Sequence, residues 1–577
     1  MKKEIMLLIN EGKFDDACEI ADEYFDSYDL DKAEEIYKEI YLKVIENSGS
    51  NSKEAIFYKK KLASVCYEKH DYTAALPHYY SILEWYIKCG AESSMSALEA
   101  MLDLASVYNH LEKYEDVLKV CIKAYEIASE VYGGKSFMAC RIIRETAECF
   151  TALGKYQDAA DCFEKLLDIY EESDEDYVED IALTYNELAM TYKYMGLPLK
   201  AKKTYEKGIE IIENSTDANS EKLLLLMLND LCGLYDRLSM SEEELSLRKY
   251  ILERAEKIYG SEHYNVHIAK SNLGNAYVSH GEYKKAAEIF EEHYIWALDK
   301  LGEEDSETIR TETLKAGLLE KMGHYRKAKD MFEKIYMHRS MVFGKYNVET
   351  MISAENVAYC LIDLKDYMTA RKIFEKTAAF FKENYGENSD YFYSLSGYTY
   401  ACALLGEYPE ALNTADKLDN LSLTFEEQEN TNELDYFRGI AYKGMREYEK
   451  AEKCHRRYLE SVVKKHGEKH PETLSCKYEL ASILYDRGEH EKALEICKAL
   501  AEIYENDCQV QINKLKNDIL LARAYLTFSD SDRASSIIHT VLEAIDKNEY
   551  PDEYSEACSV SERCFSNREN SETSDYT

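Results

Sequence analysis

The sequence predicts an all-α solenoid: about twelve stacked helix–turn–helix units behind an N-terminal helical cap. Three observations predict it. A pattern recurs about every 42 residues between Glu54 and Ser536, small residues fill two fixed columns of that pattern, and five prolines in 577 residues leave helices almost uninterrupted. Self-similarity on this scale marks a repeat array in which each unit buries its apolar face against its neighbours.

The clearest unit runs from Ser271 to Thr308, with a turn at Gly281-Glu282-Tyr283. With Gly281 as the mark, the equivalent positions are His70, Glu112, Gly154, Gly196, Ser239, Gly323, Lys365, Gly406, Arg446, Gly488 and Ser529. Seven residues before the mark stand only small or short side chains, among them Ala63, Ala147, Ala189, Gly274, Ala316 and Gly439. Five after it stands alanine in ten of the twelve units, with Val117 and Glu244 in the others. Aromatic residues such as Tyr108, Tyr192, Tyr277, Phe163, Phe290 and Phe374 flank these columns, so large and small alternate as a close helix pair requires. Gly133, Gly260, Gly302, Gly344, Gly386 and Gly467 lie 21 residues past the mark and read as helix stops.

Taken in order, residues 1–52 do not fit the register and read as an N-terminal helical cap, with turn signals at Gly12 and Tyr28. Residues 53–238 are regular repeats. The unit at Ser239 is irregular, because Glu244 falls where alanine is expected; a turn two residues longer, with Ser246 in the small slot and Ser241 as the cap, avoids burying a carboxylate. Residues 239–545 carry the later repeats. Residues 546–577 read as a C-terminal tail, and the polar composition of the final dozen predicts disorder there.

The Leu-Gly/Ala-x-x-Tyr set before the turn, the Gly-x-Tyr-x-x-Ala turn and the aromatic after it resemble the tetratricopeptide repeat family. The 42-residue period and the Tyr-Gly or Leu-Gly stop resemble the kinesin light chain type of repeat, with His466 to Thr473 (HGEKHPET) the closest local match. The resemblance covers about twelve repeats. It implies a right-handed solenoid whose first helices line a concave groove that grips peptides or helices.

Net charge is −39, with 110 acidic and 71 basic residues and no basic tract, which argues against nucleic acid or an anionic membrane as partner. No apolar run approaches a membrane span. Sixteen cysteines without paired Cys-x-x-Cys spacing suggest a reducing compartment, and the cytoplasm is the expected location. There is no Gly-rich phosphate loop, Gly-x-Ser-x-Gly elbow or His-Glu-x-x-His motif, so no catalytic residue, metal ligand or cofactor is expected. His263 and His267, and His466 and His470, flank repeat boundaries and read as structural; Cys454 and His455 are adjacent and cannot face one another on a helix.

Groove positions fall 13, 10, 6, 3 and 2 residues before each mark. Across the five units from Gly154 to Gly323 they carry six cations, Arg141, Arg144, Lys193, Arg237, Arg310 and Lys321, against Glu148, Asp236 and Glu320. Asparagine can bind a peptide backbone through both donor and acceptor, and arginine a carboxylate through two bonds. The expected contacts are Arg144, Asn186, Lys193, Asn229, Arg237, Asn275 and Lys321, for an acidic segment or a chain-terminal carboxylate, with side chains pointing into solvent. This set loosely resembles the carboxylate clamp of chaperone-binding members of the family. The alternative is an aromatic groove of Tyr359, Tyr393, Tyr400, Tyr436, Tyr478 and Tyr485, suited to an apolar or amphipathic segment. The function expected is a non-enzymatic scaffold or adaptor that binds a protein segment. The alternative is a peptide sensor whose curvature changes on binding.

Overall fold

One turn geometry generates the whole array. At all twelve marks the backbone φ is positive, from +56° at Ser239 to +93° at Gly488. The Gly281 N–H donates to the Val278 carbonyl at 3.0 Å and the Glu282 N–H to the Tyr277 carbonyl at 2.8 Å. This paired closure satisfies carbonyls left open at the helix end and requires the left-handed conformation at the mark. Glycine adopts it without steric penalty, yet His70, Glu112, Lys365 and Arg446 adopt it too. The turn is therefore set by the helices it joins, and the 42-residue period locates it where the residue type does not.

The computed structural model describes residues 2–173, 177–213, 218–422 and 432–574, and among them 28 helices and no strand. The chain divides into two compact units, Met1–Leu234 and Tyr235–Thr577. The first opens with α1 (Lys2–Asn10), α2 (Phe14–Asp26) and α3 (Leu30–Ser48). Pairs follow: α4 (Lys53–Glu68) and α5 (Tyr72–Lys88), α6 (Met95–His110) and α7 (Tyr114–Tyr132), α8 (Phe137–Ala152) and α9 (Tyr156–Glu171), α10 (Val178–Tyr194) and α11 (Pro198–Ile212). The division falls within α12 (Ala218–Arg237).

The second unit continues with α13 (Ser241–Tyr259), then α14 (Tyr264–Ser279) and α15 (Tyr283–Lys300), α16 (Ser306–Lys321) and α17 (Tyr325–Val342), α18 (Val348–Asp363) and α19 (Tyr367–Tyr385). It ends with α20 (Ser389–Leu405) and α21 (Tyr408–Ser422), α22 (Asn432–Gly444) and α23 (Tyr448–His466), α24 (Pro471–Arg487) and α25 (His490–Asn506), α26 (Gln511–Thr527) and α27 (Ser531–Ala544), and α28 (Pro551–Ser574).

In the first unit, α1 to α3 bury Ile5, Ala17, Ala33, Tyr37 and Ile40 in one core with Ala55 and Tyr58 of α4. Helix starts are also periodic. Eighteen residues before the mark stand Ser52, Ser94, Ser136, His263, Asp305, Asn347, Asn388 and His470, and each side chain accepts a backbone N–H of its helix's first turn. His263 and His470 are thus caps, through Nδ1 to the N–H of Asn265 and Glu472 at 3.1 and 3.2 Å. The small columns are tight as expected: a Cβ on Gly274 would lie 2.5 Å from the Phe290 ring, and one on Gly439 2.5 Å from His455.

The irregular unit departs from the sequence expectation. The turn at Ser239 is no longer than the others, since the Met240 N–H reaches the Tyr235 carbonyl at 2.9 Å and the Glu244 N–H the Met240 carbonyl at 3.0 Å. Met240, not Ser241, precedes the helix, and no side chain caps it. Glu244 occupies the alanine slot, 6% exposed, and pairs with Arg248 at 3.5 Å. One turn along the same helix, that guanidinium supplies the countercharge, so the register need not slip.

The second unit stacks on itself. Gly281 meets His470 and Pro471, and Gly323 meets Ile512, in each case about 189 residues, or four and a half repeats, further along. A Cβ on Gly281 would lie 2.6 Å from Pro471, and one on Gly323 2.6 Å from Ile512. Tyr283, Phe290 and Leu318 share a buried cluster with Ile512, Ile519, Ile538 and Val560. Around it, Lys321 pairs with Glu472 at 2.7 Å, His324 with Glu549 at 2.6 Å and Lys365 with Asp552 at 2.6 Å. The segment read as a tail belongs to this seam. Tyr550 donates its hydroxyl to the Gly323 carbonyl at 3.2 Å, and Ala557, Val560 and Cys564 of α28 are buried. The final dozen residues, for which disorder is expected, lie in α28 as far as Ser574; residues 575–577 lie outside the described residues.

Candidate functional site

The seven expected contacts all lie on first helices and divide between the units. Arg144, Asn186, Lys193 and Asn229 lie in the first; Arg237, Asn275 and Lys321 lie in the second. Arg144 is engaged rather than free. Its Nη2 donates to Thr184 at 3.2 Å, to Asp180 Oδ1 at 3.3 Å and to Tyr170 at 3.5 Å, while Nη1 lies 3.5 Å from Glu187. Its side chain is 14% exposed, so the expectation that it points into solvent does not hold. Asn186 is buried, Asn229 donates to the Leu225 carbonyl at 2.8 Å, and Lys193 is half-buried near Asp230. In the second unit Lys321 is held by Glu472, Arg310 grips Glu307 through Nε and Nη2 at 2.8 and 2.6 Å, Arg237 is exposed, and Asn275 is half-buried.

In the first unit, carboxylates facing these cations form a column of their own. Nine residues before the mark stand Asp103, Glu145, Glu187 and Asp230 in four successive units. Counting that column brings the carboxylates between Gly154 and Gly323 to six, level with the six cations. Burial lifts Glu145 and Glu187 to about 7 and raises Asp103 and Asp230, against the pull of Arg141, Arg144, Lys60 and Lys193. A cavity of about 390 Å³ opens here between Tyr67, Tyr79, Asp103, Arg141, Arg144 and Glu145. The signal was available as a four-fold acidic periodicity.

In the second unit the aromatic set is partly gathered. Tyr400 stacks on Phe437 at 5.0 Å and lies 5.9 Å from Tyr436, which in turn lies 5.2 Å from Tyr458 of α23. Tyr359 meets Phe374 edge-on at 4.9 Å. Tyr478 and Tyr485 stand together on α24, the latter under Arg523 at 4.8 Å. Tyr393 is 44% exposed on α20. Tyr359 lies within electrostatic reach of Glu320, Glu433 and Tyr400, which come from four first helices, so these helices face one shared space, the lumen of the unit. Glu320, Asp363 and Glu433 stand in it as well, half-buried or exposed, and none makes a hydrogen bond or ion pair among the described residues. Burial lifts Glu320 to about 7; burial and Glu320 together hold Asp363 well above the usual carboxylate range.

His267, His293 and His455 are packed. His267 stacks on Trp296 at 3.9 Å, His293 bridges the His267 carbonyl and Glu307 at 2.7 and 2.9 Å, and His455 lies under Gly439. Burial pushes His267, His455 and His470 down to about 4, so they are neutral near pH 7. No cluster of three or more His, Cys, Asp or Glu among the described residues could hold a metal ion, and no described helix is long and apolar enough to cross a membrane.

Tetratricopeptide repeat family profiles match residues 96–172, 430–506, 182–215 and 270–304. A kinesin light chain-related protein 1 of Arabidopsis thaliana is 23% identical over 202 residues, 35% of this chain and 33% of that one, so the chain spans about a third of that relative's length. Among solved structures, the kinesin light chain TPR-like repeats of Podosopora anserina align at 18% identity over 36% of this chain and 98% of that one, with a TM-score of 0.32. The APC/C hetero-tetramer Cut9–Hcn1 aligns at 14% identity over 94% and 95%, TM-score 0.44. A Rap protein complexed with competence and sporulation factor aligns at 14% over 64% and 98%, TM-score 0.45. Repeats of this family build protein-interaction scaffolds. The turn geometry, the small columns and the matched segments agree: this chain carries tetratricopeptide repeats, similar to those of kinesin light chains.

Proposed function

We propose that the chain is a non-enzymatic cytoplasmic scaffold or adaptor that grips a segment of a partner protein on the concave face of its first helices, with the lumen of the second unit as the principal grip. The observation that carries this reading is the wall made by Tyr359, Tyr400, Tyr436 and Tyr478. Four successive first helices deliver them to one face, and each stays only partly buried. A tyrosine offers a rigid apolar ring with a polar tip at low entropic cost, which suits a surface that must receive another chain. The acidic-segment alternative has less support, because Arg144, Arg310 and Lys321 already hold the protein's own carboxylates.

A photocrosslinking amino acid at Tyr393, on the groove side of α20, tests the reading against one at Tyr385, exposed at the end of α19. Adducts with a partner protein from position 393 and none from 385 support it; the reverse pattern overturns it. The seam favours a second, regulatory reading. The His324–Glu549 contact and the Lys365–Asp552 ion pair give the unit a closure that a bound segment could strengthen or open, and so change its curvature. Hydrogen exchange at Gly281–Tyr283 with and without the partner separates the two, since a plain scaffold leaves it unchanged.

A further inference from the structure

The carboxylates of the second unit's lumen say what kind of segment it takes. Glu320 stands next to last among the groove positions of α16, Asp363 last in those of α18, and Glu433 first in those of α22. None of the three carboxylates has a hydrogen bond or ion pair among the described residues. The nearby cations form no ion pair with them. Lys321 is committed to Glu472 at 2.7 Å, and neither Lys516, which faces Asp363, nor Lys465, which faces Glu433, reaches ion-pair distance. Burial lifts Glu320 to about 7 against the pull of Lys321, and burial together with Glu320 holds Asp363 well above the usual carboxylate range, so the free protein keeps negative charge here only at a penalty.

The tyrosines complete the surface. Tyr359, Tyr400 and Tyr325 all sense Glu320 or Asp363 through space, which puts ring and carboxylate in one enclosure. An aromatic face carries negative quadrupole density and favours a cation, more so where water is partly excluded. An apolar segment would bury these carboxylates without a countercharge, and an acidic one would repel them; a cation relieves both penalties.

We infer that the lumen of the second unit recognises a basic partner segment, seating an arginine or lysine side chain between the Glu320–Asp363 pair and the rings of Tyr359 and Tyr400. This rests on the proposal that the concave face is the grip, and it reverses the sign of the ligand expected from the sequence.

The test measures binding of fluorescent hexa-arginine amide and hexa-glutamate to the full chain at fixed ionic strength. Because a chain of net charge −39 attracts any polycation, the variants are matched in charge: E320Q/D363N in the lumen and E375Q/E383Q on exposed positions of α19, with Y359L/Y400L as the ring variant. Circular dichroism checks that each variant folds. The expected result is hexa-arginine affinity at least about tenfold weaker in E320Q/D363N and less than about twofold weaker in E375Q/E383Q. Equal losses in the two charge variants reduce the attraction to the general field and overturn the inference. Tight hexa-glutamate binding that Y359L/Y400L weakens overturns the basic ligand while keeping the grip in the lumen. If neither lumen variant alters binding of either peptide, inference and grip fall together.

Discussion

Lys321 Nζ lies 2.7 Å from Glu472 Oε1, joining residues 151 positions apart and tying the end of α16 to the start of α24. Burial alone would raise the Glu472 carboxyl, but Lys321 overrides it and holds the group at about 2. A carboxyl depressed in the folded state contributes stability that is present above its unfolded pKa and is lost as pH falls through the folded value. The seam is therefore expected to weaken between about pH 5 and pH 2. Both side chains are more than a third exposed, so screening limits the pair to about 1 kcal/mol. Glu472→Gln should speed hydrogen exchange at Gly281–Tyr283 near neutral pH and leave it unchanged at pH 2.

Glu145 gives the opposite sign. Its folded pKa is raised to about 7 by burial, with Glu148 adding to the effect, so folding favours its protonated form. Its influence is neutral below the unfolded pKa and becomes destabilising as pH rises toward 7. Glu145→Gln should stabilise the first unit by about 1 kcal/mol at pH 8 and by almost nothing at pH 4, read from urea denaturation at the two pH values.

Two glycines on first helices should respond oppositely to alanine. A Cβ at Gly274 would collide with Phe290, whereas one at Gly317 meets nothing within 4 Å. Gly274→Ala should cost roughly 1–3 kcal/mol by overpacking. Gly317→Ala should gain roughly 0.5–1 kcal/mol from helix propensity and a less flexible unfolded chain. Thermal melts of the two variants compare them directly.

The Glu244–Arg248 pair makes a third case. Glu244→Ala restores the small column but takes a countercharge from Arg248, whose side chain is 14% exposed, and should cost on the order of 2 kcal/mol. Adding Arg248→Leu removes the guanidinium as well and should return stability to within about 1 kcal/mol of the parent, as chemical denaturation of single and double variants will show.

What was legible in the sequence follows from what a repeat encodes. Turn marks, small columns and glycine stops are contacts between sequence neighbours, so each recurs with the period and could be read, even where Lys365 or Arg446 replaces glycine. The Ser239 turn was misjudged because a lone Glu244 looked too costly, when its partner stood four residues on. The cap column from Ser52 to His470 was hidden by its chemical variety: serine, histidine, aspartate and asparagine all supply the same acceptor. The acidic column through Asp103 and Glu145 escaped because it lies one helical step from the groove columns that were counted. Gly281 against Pro471 could not be seen at all, since a period reports the next repeat and says nothing of the one four and a half units on.

The central claim, that a partner segment lies against the first helices of the second unit, is tested most directly by hydrogen exchange with a purified partner bound. The account predicts added protection in α18, α20, α22 and α24, around Tyr359, Tyr400, Tyr436 and Tyr478, with α19 and α21 unchanged. Protection confined to α19, α21 and α23, or to the first unit alone, would contradict it.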